Sequence, residues 1–304
     1  MTVTQSTDLA STQPASVMGG EVREFPWSWQ GQSLKLVYET LGQGTPVLLL
    51  PAFSTVSTRG EMAQLAKLLS PHFQAVALDW IGFGVSSRLP LDYRPELYQQ
   101  LLKDFVNSTF QTPIIVIAAG HAAGYAMQLA ATQPQAFSKI VLVAPTWRGP
   151  LTVMGVNKQV AGTVRQAVRS PVLGQALYKM NTTPGFLRYM YGSHVYADKT
   201  KLTDEFIQQK WEITQQPGAR FAPAAFVTGN LDPVQQRQDF LNWFQSLSIP
   251  VLVVIGEQSP PKSRAEMEAL ATLPGVQTKT LPGSLGLYEE YAAELAEIVL
   301  PFLL

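Results

Sequence analysis

Short apolar runs, each bounded by turn residues, recur along the chain and constrain its fold more than any other feature. Five such runs occupy residues 47–50, 75–78, 114–118, 140–143 and 251–255. A continuously apolar run of this length predicts a strand buried on both faces, as in a parallel sheet. Segments with apolar residues at three- and four-residue spacing predict helices over 60–69, 96–110, 123–132 and 265–273. This alternation predicts an α/β fold with a doubly wound, mostly parallel sheet and ligand sites at the strands' carboxyl ends.

Two further segments complete the predicted organisation. Apolar and polar side chains alternate around Gly31 over residues 24–40, which predicts a hairpin. Residues 147–223 break the alternation with helical, Met-rich and aromatic sequence, which predicts an inserted helical cap. The predicted divisions are a disordered tail over 1–23, a core formed by 24–146 and 224–304, and the cap over 147–223. Seven cap residues either line an apolar pocket or only join the cap to the core: Met154, Tyr178, Met180, Phe186, Tyr189, Met190 and Tyr191.

The composition excludes several classes of protein. Lys and Arg number 22 and so do Asp and Glu, so no net charge attracts nucleic acid or anionic lipid. The chain has no cysteine, which excludes disulfides and makes the cytoplasm the expected compartment. No apolar run approaches the length of about 18 residues that an integral membrane segment needs. Phosphate-binding and zinc motifs are absent, so we expect no cofactor and no metal, and a small apolar molecule or a protein as partner.

Three segments at the ends of predicted strands carry a further pattern. Residues 79–90 read DWIGFGVSSRLP, residues 120–124 read GHAAG between a strand and a helix, and residues 282–291 read PGSLGLYEEY. In this order, with strands between them, they resemble the α/β-hydrolase superfamily. The resemblance implies that residues 120–124 take the place of the G-x-S-x-G nucleophile elbow, a sharp strand-to-helix turn that presents the catalytic serine.

The residues at the three catalytic positions depart from that superfamily. The serine position corresponds to Ala122, the acid position after the 251–255 strand to Ser259, and the histidine position to Gly286 or its neighbour Leu285. The chain has only three histidines, and none follows His194. A methyl group cannot attack a carbonyl, and a serine cannot hold an imidazolium by charge. We therefore predict a non-hydrolytic pseudoenzyme that binds an apolar ligand or a protein partner.

Part of the site's architecture is expected to remain. The resemblance implies an oxyanion hole formed by the Ala123 N–H and an N–H in loop 51–54. His121 has an expected packing role, and His72 and His194 are expected to be peripheral. The predicted binding pocket consists of Phe53, Ser54, His121, Ala122, Ala123 and Tyr288.

Two other interpretations stay open. One is an active hydrolase or lyase that uses a non-standard base, for which Glu257, Asp232 and Tyr288 are candidates. Asp232 is equally expected as a turn former or as the N-cap of a helix over 234–244. The other is a scaffold protein whose function lies on its surface, which a collapsed pocket would support.

Overall fold

The computed structural model describes residues 14–245 and 247–304. Eight strands in these residues form one sheet in the order β1-β2-β4-β3-β5-β6-β7-β8. Their bounds are β1 Glu21–Trp29, β2 Gln32–Leu41, β3 Pro46–Leu50, β4 Gln74–Asp79, β5 Ile114–Ala119, β6 Phe137–Val143, β7 Val251–Gly256 and β8 Val276–Leu281. The β1–β2 and β2–β4 pairs are antiparallel and all other pairs are parallel. The predicted mostly parallel sheet is confirmed, as is the hairpin.

Helices connect most of the strands. In the core they are α1 Ala63–Leu69, α2 Pro95–Thr109 and α3 Ala122–Thr132. Between β6 and β7 they are α4 Pro150–Met154, α5 Lys158–Arg169, α6 Leu173–Met180, α7 Pro184–Met190, α8 Asp204–Thr214, α9 Phe221–Val227 and α10 Arg237–Gln245. The last three are α11 Pro261–Leu270, α12 Leu287–Glu290 and α13 Ala292–Leu303. The segment predicted as a cap, residues 147–223, holds no strand; we call it the insertion.

The order in which the chain visits the strands places helices on both faces of the sheet. The chain passes from β3 to β4, then reverses past β3 to β5 and continues to β6, β7 and β8. Because crossovers between parallel strands are right-handed, this reversal puts α1 on one face and α2 and α3 on the other. Accordingly, α1 packs against α13, and α3 packs against α2 and α10. The sheet is therefore doubly wound, and its topological switch lies where the carboxyl ends of β3 and β5 meet.

Two elements differ from the sequence prediction. The strand β8 was not predicted, because its sequence VQTKTL is polar; it is an edge strand whose residues 277–280 are exposed. The helix predicted over 234–244 begins only at Arg237. Asp232 is therefore too far from its first turn to be the N-cap, and its carboxylate accepts the Gly149 N–H instead.

The last residues of the segment predicted as a disordered tail, 1–23, belong to the fold. Residues 1–13 lie outside the described residues, but Met18 is buried and β1 already begins at Glu21. The buried carboxylate of Glu39 accepts hydrogen bonds from the N–H groups of Val17, Met18 and Gly20, at 2.8–2.9 Å. This side chain therefore fixes the segment before β1 to the sheet.

The Glu39 carboxylate also belongs to a buried ion network beside the turn of residues 79–90. Arg59 donates to Glu39 at 3.1 Å and to Asp79 at 2.6 Å, and all three side chains are buried. Asp79 also accepts the N–H of Val85, which closes the turn of residues 79–90. A β-carbon at Gly84, where φ is +51°, would lie 2.0 Å from the Asp79 carboxyl carbon, so only glycine fits there.

Candidate active site

The turn between β5 and α3 has the geometry of a nucleophile elbow. The strand ends at Ala119, the helix begins at Ala122, and Gly120 between them has φ +49°. Gly120 donates its N–H to the Val143 carbonyl of β6 at 2.9 Å, which ties the point of the turn to the sheet. A residue on such a tight strand-to-helix turn presents its side chain at the top of the sheet. Here that residue is Gly120, which has no side chain to present.

The sequence prediction placed the point of this turn two residues later, at Ala122. Ala122 lies in the first turn of α3 and is completely buried. The N–H of Ala123, expected to point into an oxyanion hole, donates instead to the Gly120 carbonyl at 3.2 Å. The N–H that follows the point of the turn is that of His121, for which no acceptor is found among the described residues.

The His121 side chain is directed away from the turn into the protein. Its Nε2 donates to the Leu231 carbonyl at 2.7 Å, which assigns the ring proton to Nε2. Burial lowers the pKa of His121 to about 4, so the ring is neutral at pH 7. Its Nδ1 has no partner among the described residues. His121 therefore packs between the elbow and the chain that returns from the insertion. His72 and His194 are exposed.

Asp232 lies beside His121 on that returning chain. Its Oδ1 accepts the Gly149 N–H at 2.7 Å and lies 3.7 Å from His121 Nε2. Burial raises the pKa of Asp232 to about 7. The carboxyl group joins the two ends of the insertion, since Gly149 precedes α4 and Asp232 follows α9.

Aromatic rings pack together around Phe53, next to the elbow residue His121. The ring of Phe53, in the loop after β3, stacks on Trp80 with centroids 5.0 Å apart and meets the edges of other rings. Those rings are Phe83, Tyr98 and His121, with Tyr125 tilted and Phe226 stacked at 6.4 Å. Trp80 Nε1 donates to the Pro51 carbonyl at 2.9 Å, which holds the same loop. The predicted pocket residue Phe53 is therefore a packed core residue, and only 3% of its surface is exposed.

The loop at the predicted acid position adjoins the loop at the predicted histidine position. Gln258 donates its N–H to the Gly283 carbonyl at 2.9 Å, which brings the two loops together at the carboxyl ends of β7 and β8. Ser259 is buried, and its hydroxyl has no hydrogen-bond partner among the described residues. Glu257 is exposed.

The insertion covers Gly286. The Gly286 N–H donates to the Val195 carbonyl at 2.8 Å, and a β-carbon at Gly286 would lie 2.6 Å from Val195 Cγ1. Ser284 Oγ donates to the His194 carbonyl at 2.7 Å. Glu290, which is buried, accepts the N–H groups of Ala197 and Asp198. The position has no space for an imidazole, since residues 194–198 of the insertion lie directly against it.

These features, an elbow at the end of β5 and loops after β7 and β8 that meet, agree with the sequence comparison. The chain matches the alpha/beta hydrolase family over residues 47–298, which is most of its length. It belongs to the alpha/beta hydrolase family. None of the curated proteins compared with it matches significantly in sequence.

Solved structures of several enzymes superpose on nearly the whole chain. A thermophilic esterase from Thermogutta terrifontis is 19% identical, with 93% of this chain and 98% of that chain covered and a TM-score of 0.71. A serine hydrolase involved in carbazole degradation is 16% identical, with 93% and 99% covered and a TM-score of 0.70. A haloalkane dehalogenase mutant from Agrobacterium tumefaciens is 17% identical, with 95% and 99% covered and a TM-score of 0.72. At these identities the likeness shows the fold.

A buried charge cluster, not anticipated from the sequence, joins the insertion to the core of this alpha/beta hydrolase. Lys210 of α8 donates to Glu289 at 2.8 Å and to Glu61 at 3.2 Å, and Tyr288 Oη donates to Glu61 at 3.0 Å. Burial raises the pKa of Glu61 to about 7, although Lys210 pulls it down. Burial also raises the pKa of Tyr288 well above its ordinary value, so Tyr288 is no base at neutral pH. The cluster therefore combines one positive side chain, Lys210, with two acidic ones, Glu61 and Glu289.

The predicted pocket residues are packed into the fold, and of these Phe53 and His121 contact each other. Phe53, His121, Ala122, Ala123 and Tyr288 are buried, and the half-buried Ser54 accepts the Val56 N–H through its hydroxyl. A pocket beside the elbow, lined by Thr146, Trp147 and Ser263 among others, has a volume of about 10 Å³. That volume is enough for about one water molecule. Of the predicted cap lining, Tyr178 and Tyr191 are buried, whereas four residues face solvent: Met154, Met180, Phe186 and Tyr189.

Proposed function

We propose that this chain is a non-hydrolytic member of the alpha/beta hydrolase family, a pseudoenzyme that acts by binding. The observation that carries the proposal is the positive φ of Gly120 at the elbow. In this family the residue at that point presents the nucleophile, so we assign the nucleophile's position to Gly120 in place of Ala122. Neither residue has a side chain that attacks a carbonyl carbon. With either Gly120 or Ala122 at the nucleophile's position, the elbow therefore has no nucleophilic side chain.

The acid and base positions support the same proposal. We assign them to Ser259 and Gly286, where no carboxylate and no imidazole are present. His194 is the last histidine of the chain and is exposed. No histidine therefore follows β7 or β8, where the family's catalytic histidine is expected. A base must lie within hydrogen-bond reach of the proton that it takes, and Val195 already occupies the space beside Gly286.

Of the binding functions considered, the closed interior favours one on the surface. An apolar ligand of ordinary size needs a cleft of roughly 300 Å³ or more. Packed rings around Phe53 fill the position where such a cleft is expected. Hydrogen bonds made by Lys210 and Glu290 hold the insertion against the core. We therefore favour a scaffold with a surface partner over a carrier of a small apolar molecule.

The test is a search for hydrolysis by the full chain. Wild-type protein is incubated with p-nitrophenyl acetate and butyrate and, separately, with a fluorophosphonate probe. We expect turnover no faster than with heat-denatured protein, and no covalent labelling. A burst of p-nitrophenol together with one labelled residue contradicts the proposal and identifies the nucleophile.

One pair of residues favours a second candidate, an active hydrolase or lyase with non-standard catalytic groups. Asp232, whose pKa burial raises to about 7, lies 3.7 Å from His121 Nε2 beside the elbow. A carboxyl group with a pKa near 7 suits general acid–base chemistry. The discriminating variants are Asp232→Asn and, as a matched control, Asp239→Asn on the exposed face of α10. Wild-type turnover that Asp232→Asn abolishes and Asp239→Asn preserves supports this candidate.

We propose that residues 24–146 and 224–304 form the core and that residues 147–223 act as a cap, supported by the helical content of the insertion and its contacts with residues 284–290. We propose the cytoplasm as the compartment, because the chain has no cysteine.

A further inference from the structure

Exposed apolar side chains are concentrated on the insertion. Eight of the twelve exposed large hydrophobic side chains in the described residues lie between Met154 and Tyr189. The most exposed is Val172, at 84%, and its neighbour Leu173 is 57% exposed. Single exposed apolar residues are normal on a protein surface, whereas a group on neighbouring helices marks an interaction site.

The helices that carry this group are arranged with apolar residues outward. Val160 and Val164 are one turn apart on α5 and both are exposed, while Ala161 is the only buried residue of that helix. On α6, which packs against α5, Leu173 and Met180 are exposed. We call the surface formed by the exposed side chains of α5, α6 and the residue before α6 the α5–α6 face; its apolar members are Val160, Val164, Val172, Leu173 and Met180. An amphipathic helix in a globular protein directs its apolar stripe to the core, so these outward stripes lack a partner.

The charge of the insertion is as uneven as its hydrophobicity. Residues 147–197 of the insertion contain six Lys and Arg and no Asp or Glu, although the whole chain has 22 of each sign. Glu266 pairs with Arg148 and Asp204 pairs with Arg188. The four cations on α5 and α6 have no ion-pair partner among the described residues; they are Lys158, Arg165, Arg169 and Lys179. The equal numbers of positive and negative side chains in the whole chain therefore hide an excess of positive charge on this face. The zero net charge, from which we expected no attraction to anionic lipid, does not describe this face.

We propose that the α5–α6 face docks on the surface of an anionic lipid bilayer. The proposal rests on the proposed function, because a protein without hydrolytic chemistry acts here through its surface. A bilayer offers both complements, since its anionic headgroups attract Lys158 and Lys179 while Val172 and Leu173 enter the boundary of the acyl chains. A second copy of the chain would offer apolar side chains but would bring like charges together. In the described residues no helix is long and apolar enough to cross a bilayer, so α5 and α6 lie along its surface.

The experiment measures flotation of the full chain with vesicles. Phosphatidylcholine vesicles are compared with vesicles of phosphatidylcholine and phosphatidylglycerol, at low and at high salt. We expect binding only to the anionic vesicles, weakened by salt because exposed charges are screened. Val172→Ser combined with Leu173→Ser is expected to lower the partition coefficient about tenfold, and Lys158→Gln with Lys179→Gln by about tenfold or more.

The control is Leu304→Ser, which removes an equally exposed apolar side chain, 76% exposed, outside the insertion. It is expected to leave flotation unchanged. Absence of flotation with anionic vesicles, equal flotation with neutral vesicles, or an equal loss in Leu304→Ser overturns the proposal. Dimers in sedimentation without lipid that the Val172 and Leu173 changes abolish also overturn it, in favour of a second copy. The ester assay, run without lipid, tests the proposed function separately.

Discussion

The Lys210 ammonium of the insertion lies 2.8 Å from the Glu289 carboxylate of the core, in an enclosed space beneath two aromatic rings. The rings of Tyr191 and Phe206 have their centroids 5.6 and 5.2 Å from the ammonium nitrogen. Glu61 and Tyr288 complete the cluster from the core side. A buried charge that loses its partner costs far more than a surface charge. The cluster therefore holds the insertion closed only while all its members are present.

Lys210→Met is expected to destabilise the fold strongly. Methionine fills a similar volume but leaves Glu61 and Glu289 without a counter-charge, at a cost of about 3–5 kcal/mol in the free energy of unfolding. Urea denaturation followed by circular dichroism measures this change. The control Lys179→Met replaces an exposed lysine and is expected to change the free energy of unfolding by less than about 0.5 kcal/mol.

The double variant Lys210→Met with Glu289→Gln checks the cause. It removes one of the uncompensated carboxylates and is expected to recover part of the stability that Lys210→Met loses. If the two changes simply add, Lys210 stabilises the insertion by packing, and the electrostatic explanation is wrong.

Glu39→Gln is expected to release the segment before β1. Burial alone would raise the pKa of Glu39, but hydrogen bonds from Ser16 and three backbone N–H groups lower it to about 2. The unfolded value is about 4.3, so the carboxylate contributes stability above that pH and loses it as pH falls towards 2. The amide of glutamine presents a donor to these N–H groups. We expect faster hydrogen exchange at Val17, Met18 and Gly20, and none of this in the exposed Glu24→Gln control.

Asp232→Asn is expected to change how stability depends on pH. Burial raises the folded pKa of Asp232 to about 7, so the folded state favours the protonated form. Its stabilising contribution is complete below the unfolded pKa of about 3.9 and is lost as pH rises through 7. Asparagine imitates the neutral carboxyl and still accepts the Gly149 N–H. Thermal unfolding between pH 5 and about 8 should therefore show a decline in wild type that is smaller in Asp232→Asn; parallel curves would contradict this explanation.

The sequence predicted the core far better than the site. The apolar runs identified β3 to β7, because a strand covered on both faces has an unmistakable composition, whereas the polar edge strand β8 resembles a loop. The GHAAG segment lies at the turn between β5 and α3, but glycine spacing does not reveal that Gly120 is the residue with positive φ, and the sequence prediction placed the serine position at Ala122. Lys210 was not anticipated, since a lysine on an amphipathic helix is ordinarily solvated.

The last prediction concerns the contact that defines the elbow. A β-carbon on Gly120 would lie 2.9 Å from the β-carbon of Ala52, in the loop after β3. Alanine at φ +49° adds a backbone cost of about 1–2 kcal/mol, so Gly120→Ala is expected to lower the free energy of unfolding by about 2–4 kcal/mol in total. Adding Ala52→Gly removes the contact but not the backbone cost, so it should restore only the steric part.

The comparison with Ala122→Gly locates the point of the turn independently. Ala122 lies in the first turn of α3, so glycine there should cost about 1 kcal/mol in helix propensity, together with the loss of a buried methyl group, and Ala52→Gly should not compensate it. If Ala52→Gly restores stability to the Gly120→Ala variant and not to the Ala122→Gly variant, the point of the turn lies at Gly120. If Ala52→Gly rescues neither variant, Ala52 does not crowd the turn, and the small side chains after β3 and β5 must be explained by packing with the aromatic rings around Phe53.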